Sequence, residues 1–155
     1  MVRAKINGAV KDFKEGISIL AAARETGADI PTLCEDARLK SVGACRMCLV
    51  EVAGRPRETV SCTTLLTEGM DIETHSPRIE SSRKWNLRML AKSYPADAFS
   101  SFPDKPFHRL AAQYGLSAED FSGNGFADVD DSQTYIRADM SRCINCYACV
   151  RICAD

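Results

Sequence analysis

Eight cysteines in 155 residues, gathered into two groups, constrain this chain more than any other feature. The first group is Cys34, Cys45, Cys48 and Cys62, with ten, two and thirteen residues between successive members. The second is the run "RCINCYACVRICAD", which carries Cys143, Cys146, Cys149 and Cys153. Eight cysteines pair evenly, so a disulfide framework is one reading, but such frameworks spread their pairs to staple distant loops. Both groups here contain C-x-x-C spacing, which presents two sulfurs from one side of a tight loop and suits metal ligation or redox work.

Composition removes several classes. Twenty basic residues against 21 acidic give a net charge of -1, so no electrostatic footprint for nucleic acid or an anionic membrane is present. No run approaches the roughly 18 apolar residues of a membrane-spanning helix, and the N-terminal "MVRAKINGAVKDF" lacks the apolar centre of a signal peptide. The expectation is a cytoplasmic protein with no membrane insertion, whose reducing surroundings favour metal ligation over disulfides. Its length allows one modest core or two small ones.

Periodicity gives an α+β pattern. Residues 2–13 alternate apolar and polar around Asn7-Gly8, a strong hairpin signal. "EGISILAAARETGADIP" places Ile17, Leu20, Ala21 and Ala23 or Arg24 at helical spacing, with Gly27 and Pro31 as stops. A cysteine-bearing loop from Leu33 to Cys48 follows, then the strand "CLVEVAG", a turn at Gly54 to Pro56, "ETVSC" and a last strand in "GMDIETHSP". Ligand residues thus fall in loops on a rigid frame. Beyond Pro77, "RIESSRKWNLRMLAKSY" reads as a helix with Trp85 preceding Leu87, Leu90 and Ala91 on one stripe, and "KPFHRLAAQYG" as a shorter helix ended by Gly115. Ser117 to Thr134 holds five acidic residues and no Lys or Arg, the composition of a solvated connection.

The chemistry of the first group follows from ligand count. Four thiolates satisfy two tetrahedral irons bridged by two sulfides, two thiolates per iron. Gly43 and Ala44 are small, so the backbone before Cys45 can wrap closely and aim N–H groups at the sulfides. The first gap of ten residues departs from the plant-type C-x4-C-x2-C spacing. Structural zinc also takes four cysteines, though zinc ribbons show two facing C-x-x-C knuckles and this group has one. A zinc-stabilised interaction domain with no redox role is therefore the competing class.

"LCEDARLKSVGACRMCLVEVAG" followed by "VSCTTLLTEGMDIET" resembles the N-terminal 2Fe-2S region of the large iron-sulfur subunit of respiratory NADH dehydrogenase, of NAD-linked hydrogenases and of NAD-dependent molybdenum or tungsten formate dehydrogenases. In that family the long first gap is normal. The resemblance covers residues 1–94 and resumes at "RADMSRCINCYACVRIC". It implies a β-grasp, ferredoxin-like fold, with Cys34, Cys45, Cys48 and Cys62 all ligating a 2Fe-2S cluster.

Between the two blocks the chain departs from that family. Many members carry a His-Pro-x-Asp-Cys stretch that starts a 4Fe-4S site of one His and three Cys. Here "YPADAFSSFPDKPFHRLAAQYGL" puts Tyr94 where the His would stand, Ala98 where the first Cys would, and Ser101 and about Phe107 where the others fall. Iron-sulfur sites need soft thiolates, so this cluster is expected to be absent. His108 and His75 read as ordinary packed or surface histidines. Among the relatives, formate dehydrogenase is the one whose pattern tolerates this loss.

The C-terminal run reproduces the C-x2-C-x2-C-x3-C spacing of bacterial ferredoxins, in which three cysteines hold one 4Fe-4S cluster and the fourth reaches another. Cys143, Cys146 and Cys149 are the expected 4Fe-4S ligands. Cys153 serves a second 4Fe-4S cluster or closes the first. The run is half of a two-cluster site, which leads to the expectation that the chain belongs to a longer polypeptide or that a partner supplies the remaining ligands. The resulting organisation is a 2Fe-2S ferredoxin-like domain at 1–78, a helical segment with a degenerate His-Cys site at 79–116, an acidic linker at 117–136, and the start of a 4Fe-4S ferredoxin-like domain at 137–155. No catalytic triad, phosphate loop or flavin or nicotinamide fingerprint is visible. The expectation is an electron-transfer portion of an oxidoreductase with no catalytic site of its own. By resemblance its partners are a flavin/NAD-binding subunit and a molybdopterin catalytic region or subunit, with the hydrogenase or NADH dehydrogenase setting as the alternative.

Overall fold

The computed structural model describes residues 1–123 and 129–154. Positions 124–128, within the acidic stretch at 117–136, and position 155 lie outside the described residues. The chain divides into two compact units, Met1–Arg83 together with the tail from Tyr147, and Lys84–Cys146.

The first unit begins with the hairpin expected around Asn7-Gly8. Strands β1 (Val2–Ile6) and β2 (Ala9–Phe13) pair antiparallel from Val2 opposite Phe13 to Ile6 opposite Ala9. Asn7 at φ 49° and Gly8 at φ 84° give the two consecutive left-handed residues that a two-residue hairpin turn requires. The Asn7 side chain also fastens the turn to the far side of the sheet. Its Oδ1 accepts from the Thr74 backbone N–H at 2.9 Å, and its Nδ2 donates to Thr74 Oγ1 at 2.8 Å.

Helix α1 (Ile19–Glu25) is too short to hold itself in water and is held by packing and capping. Ser18 Oγ accepts from the Ala21 N–H at 3.2 Å and fixes the start of the helix. That start rotates the apolar face away from the one read in the sequence. Ile19, Leu20, Ala22 and Ala23 are buried, Ala21 is half-buried and Arg24 is exposed, while Ile17 lies before the helix with its carbonyl accepting from Leu66 N–H. The sequence reading started the helix too early because Ile17 has the right spacing but is used in an extended segment.

Strands β3 (Leu49–Val52), β4 (Thr59–Val60) and β5 (Asp71–Glu73) complete a five-stranded sheet in the order β2-β1-β5-β3-β4. β1 and β5 run parallel and the other neighbours antiparallel. Val2, Ala4 and Ile6 of β1, Val50 and Val52 of β3, Ile72 of β5 and the buried face of α1 form one core. A fully buried aliphatic side chain contributes about 1.5–3 kcal/mol, so this shared face is what stabilises a seven-residue helix and very short strands. Mixed sheet plus crossing helix is the α+β architecture expected of a ferredoxin-like domain.

The tail contributes helix α5 (Ala148–Ala154) to this unit. Helix α2 (Pro77–Lys92) passes from the first unit into the second. Its buried positions include Ile79, Arg83, Leu87 and Ala91; Leu90 is half-buried and Trp85 is 61% exposed beside Arg88, so Trp85 does not belong to the stripe.

In the second unit, α3 (Ala96–Ser101) and α4 (Pro106–Gln113) follow, and Gly115 at φ 71° ends the latter as expected. α3 was not apparent from apolar periodicity. A 3-10 turn at Ala118–Asp120 carries a capping box between Ser117 and Asp120, and it brings Phe121, inside the acidic stretch, to a buried position. β6 (Val129–Asp130) and β7 (Ala138–Asp139) form a small antiparallel pair before the cysteine run. No described helix is long and apolar enough to cross a membrane.

Candidate metal centre

All four cysteines of the first group are buried, at 3% exposure for Cys34, 7% for Cys45, 1% for Cys48 and 6% for Cys62, and all eight cysteines are free. Free cysteines are often buried as small apolar residues; these four are set apart by all lying in loops, outside every strand and helix. Their mutual electrostatics show that they converge. The thiol of Cys62 is pushed far up, first by its hydrogen bond to Cys48 and by burial, then by the charges of Cys48, Cys34 and Cys45. The thiol of Cys48 is drawn down to about 6, chiefly because Cys62 donates to it, with Ser61 and backbone N–H groups adding to the effect. Burial pushes Cys45 up to about 11 although the N–H groups of Met47, Cys34 and Leu33 favour its thiolate. Thiols that act on one another and on nearby N–H groups in this way are close enough to share a metal group, whose binding requires them as thiolates.

The loop that carries these sulfurs is shaped by a few backbone devices. Gly43 has φ 65°, and a Cβ there would come within 3.1 Å of Val60 Cγ1 and 3.4 Å of Thr63 Cγ2. A small residue is therefore required at Gly43 for two separate reasons, a left-handed backbone and the close approach of Val60 and Thr63; Ala44 is exposed. Arg46, the first residue between Cys45 and Cys48, is exposed and left-handed at φ 55°, which turns the chain sharply enough to present both sulfurs inward. Met47 is fully buried and closes the loop against the interior. Ser61 Oγ and Ser61 N–H both donate to the Cys48 carbonyl, at 2.6 and 3.0 Å, and join the two halves of the ligand set.

Two arginines that the sequence reading did not single out hold this loop from outside. Arg83, with no exposed surface, donates from Nε to the Met47 carbonyl at 3.0 Å and from Nη2 to the Leu49 and Thr74 carbonyls at 2.8 and 3.1 Å; Nη1 pairs with Glu80 at 2.7 Å. Arg151 of α5 reaches the Cys34 and Lys40 carbonyls. An arginine three residues past a helical glutamate looks like a surface ion pair in sequence, so only tertiary structure reveals the first.

Four thiolates on loops satisfy a 2Fe-2S cluster, two to each iron, so the donor set fits that group; a single tetrahedral zinc takes the same number of thiolates.

The C-terminal cysteines are set differently. Cys143 and Cys146 are half-buried, and Cys149 and Cys153 are exposed. Asn145 and Tyr147 take left-handed backbones, at φ 53° and 57°, and the Asn145 N–H donates to Cys143 Sγ at 3.4 Å. Left-handed residues thus recur inside the C-x-x-C loops of both groups.

In the second unit rings pack around His108. Tyr94, Phe107 and Phe121 are buried around His108, with Tyr94 and Phe107 edge-on at 5.2 Å and Phe99 stacked on Phe121 at 4.3 Å. Tyr94 is also edge-on to His108 at 5.2 Å. Ala98 is fully buried beside them in α3. His108 Nδ1 lies 2.6 Å from the Phe102 carbonyl and Nε2 has no protein partner. His108 is packed, and His75 is exposed, its Nδ1 2.8 Å from Thr74 Oγ1.

A mixed sheet crossed by a short helix, with four converging buried thiols in its loops, defines a ferredoxin-like 2Fe-2S domain. Residues 1–77 match the family described as a 2Fe-2S iron-sulfur cluster binding domain. Over 158 aligned residues the chain is 30% identical to a subunit of the NADH-quinone oxidoreductase of Rickettsia conorii, covering 100% of this chain and 24% of that protein. It is 33% identical over 162 residues to the NADP-reducing hydrogenase subunit HndD of Solidesulfovibrio fructosivorans, covering 99% of this chain and 28% of that one. A crystal structure of NAD+-reducing NiFe-hydrogenase in the H2-reduced state superposes with a TM-score of 0.81 at 27% identity, covering 97% of this chain and 64% of that chain. The chain thus spans about a quarter of the length of these curated relatives.

Proposed function

We propose that this chain is the iron-sulfur relay portion of an NAD-linked oxidoreductase, with Cys34, Cys45, Cys48 and Cys62 as the 2Fe-2S ligands. The observation that carries the reading is the burial of all four free cysteines in the loops of a domain whose residues 1–77 match a 2Fe-2S iron-sulfur cluster binding family. A bound 2Fe-2S cluster supplies a one-electron store whose potential follows exposure and hydrogen bonds to sulfur. The chain's own residues ligate it, exclude water from it through Met47, and offset its negative charge through the loop N–H groups.

By spacing, Cys143, Cys146 and Cys149 hold a 4Fe-4S cluster, and Cys153 serves a second such cluster or the fourth position of the first. The parent enzyme we favour is a cytoplasmic formate dehydrogenase, in which the relay connects a molybdopterin catalytic region to a flavin/NAD-binding subunit. The supporting feature is the replacement of the His-Cys site by Tyr94, Ala98, Ser101 and Phe107, three of which are buried in the second unit. The hydrogenase setting is the second reading, supported by the likeness to HndD and to the NiFe-hydrogenase chain.

The ligand assignment is tested by electron paramagnetic resonance on protein purified without oxygen. Cys45→Ser removes the rhombic signal of the reduced 2Fe-2S centre and leaves the C-terminal site unchanged. Colourless protein with stoichiometric zinc, or an unaltered rhombic signal in the variant, overturns the assignment.

A further inference from the structure

Helix α5 carries Cys149 and Cys153 four residues apart, so the two share one face, and both are exposed. Arg151 sits midway between them in sequence, about 200° around the helix from each, and points to the opposite side. It is 8% exposed. Its Nη2 donates to the carbonyl of Cys34 at 2.5 Å and its Nη1 to the carbonyl of Lys40 at 2.8 Å. These partners lie more than a hundred positions away in the chain, so no local preference accounts for the contact. Lysine could not reproduce it, because one ammonium cannot fork rigidly onto two carbonyls.

We propose that Arg151 is a positioning residue for the 2Fe-2S centre, fixing the Cys34 loop from within the second cysteine motif and raising the reduction potential of the centre with its charge. The inference rests on Cys34 being a ligand of that centre. A guanidinium on a ligand's own carbonyl in a partly dry site favours the state with one more negative charge, which is the reduced state. Asp36 feels this charge, and both of its oxygens are engaged by Arg38, at 3.0 and 2.7 Å. The same two bonds restrain the backbone between Cys34 and Lys40, a stretch with no helix or strand of its own. Removing them frees both the ligand and the loop.

The test uses Arg151→Met and Arg151→Lys in the full chain as purified without oxygen. Potentiometric titration follows the rhombic signal, and hydrogen exchange follows residues 34–40. In Arg151→Met the reduced-to-oxidised ratio at a fixed ambient potential is expected to fall about tenfold, or about 59 mV for a one-electron couple, with faster exchange at 34–40. Arg151→Lys keeps most of the potential but loses the exchange protection. An unchanged potential in Arg151→Met with the signal intact overturns the proposal. If neither variant assembles the centre, exchange in the metal-free chain decides, and protection at 34–40 equal to that of the parent chain overturns it. Failure of the ligand reading looks different, because the parent chain itself then shows no rhombic signal.

Discussion

Arg83 donates from its buried Nε to the carbonyl of Met47, inside the C-x-x-C loop, while its Nη2 bridges the carbonyls of Leu49 and Thr74. One side chain therefore joins the ligand loop, the start of β3 and the end of β5 to helix α2. Three carbonyls with one donor in common lose their partner together when that donor is removed.

Arg83→Ala is expected to destabilise the metal-free chain by about 3 kcal/mol, since buried acceptors bonded to a charged donor are left unpaired. Urea unfolding measures it. Arg83→Lys recovers only part of the loss because the ammonium reaches fewer of the carbonyls.

Gly43→Ala is expected to cost more than Gly8→Ala. Both positions are left-handed, at φ 65° and 84°, and each carries a backbone penalty of about 1 kcal/mol. At Gly8 a Cβ meets nothing within 4 Å, whereas at Gly43 it meets Val60 and Thr63. Thermal unfolding of the two variants should separate them, and only Gly43→Ala should also lower iron content per chain.

Phe121→Ala is expected to destabilise the second unit by about 3–5 kcal/mol, the range for deleting a buried aromatic ring. The ring stacks on Phe99 and lies edge-on to Tyr94, so its removal leaves a gap beside two other rings. The check is near-ultraviolet circular dichroism during unfolding, with the 2Fe-2S signal of the first unit unaffected.

Acid should weaken the metal-free chain through its paired carboxylates. Arg3 holds Asp12 below the usual carboxylate range, Arg38 does the same to Asp36, and the N-terminal ammonium does so to Glu15. A carboxyl lowered in the folded state contributes stability that is present above its unfolded value, near pH 4, and lost as pH falls through the folded one. The Asp12→Asn, Asp36→Asn double variant is expected to flatten the acid limb of a stability-against-pH curve, and added salt should do so in part, since these pairs are exposed.

Much of this molecule was legible in one dimension. The Asn7-Gly8 hairpin, the strand after Cys48, the helix after Pro77 and the Gly115 stop each depend on local rules: a left-handed turn, an alternation, a helical period, a C-terminal glycine. The loop that carries the first cysteine group was legible for a similar reason, because C-x-x-C spacing and a preceding glycine describe a loop's own geometry. The α1 face was misread because Ile17 satisfies helical spacing while its backbone is bonded to Leu66 instead. α3 and the burial of Phe121 escaped because six residues of "ADAFSS" carry no period and an acidic stretch hides its one ring.

What sequence alone determined is which atoms are available: four sulfurs around one C-x-x-C pair, and four more at the spacing of bacterial ferredoxins. Tertiary structure decided which charges attend the first set. Arg83 and Arg151 look like ordinary surface arginines in one dimension, and their burial against Met47, Leu49, Thr74, Cys34 and Lys40 depends on contacts between segments far apart in the chain. A guanidinium's effect on a neighbour is set by distance and local dielectric, and neither is written in the order of residues.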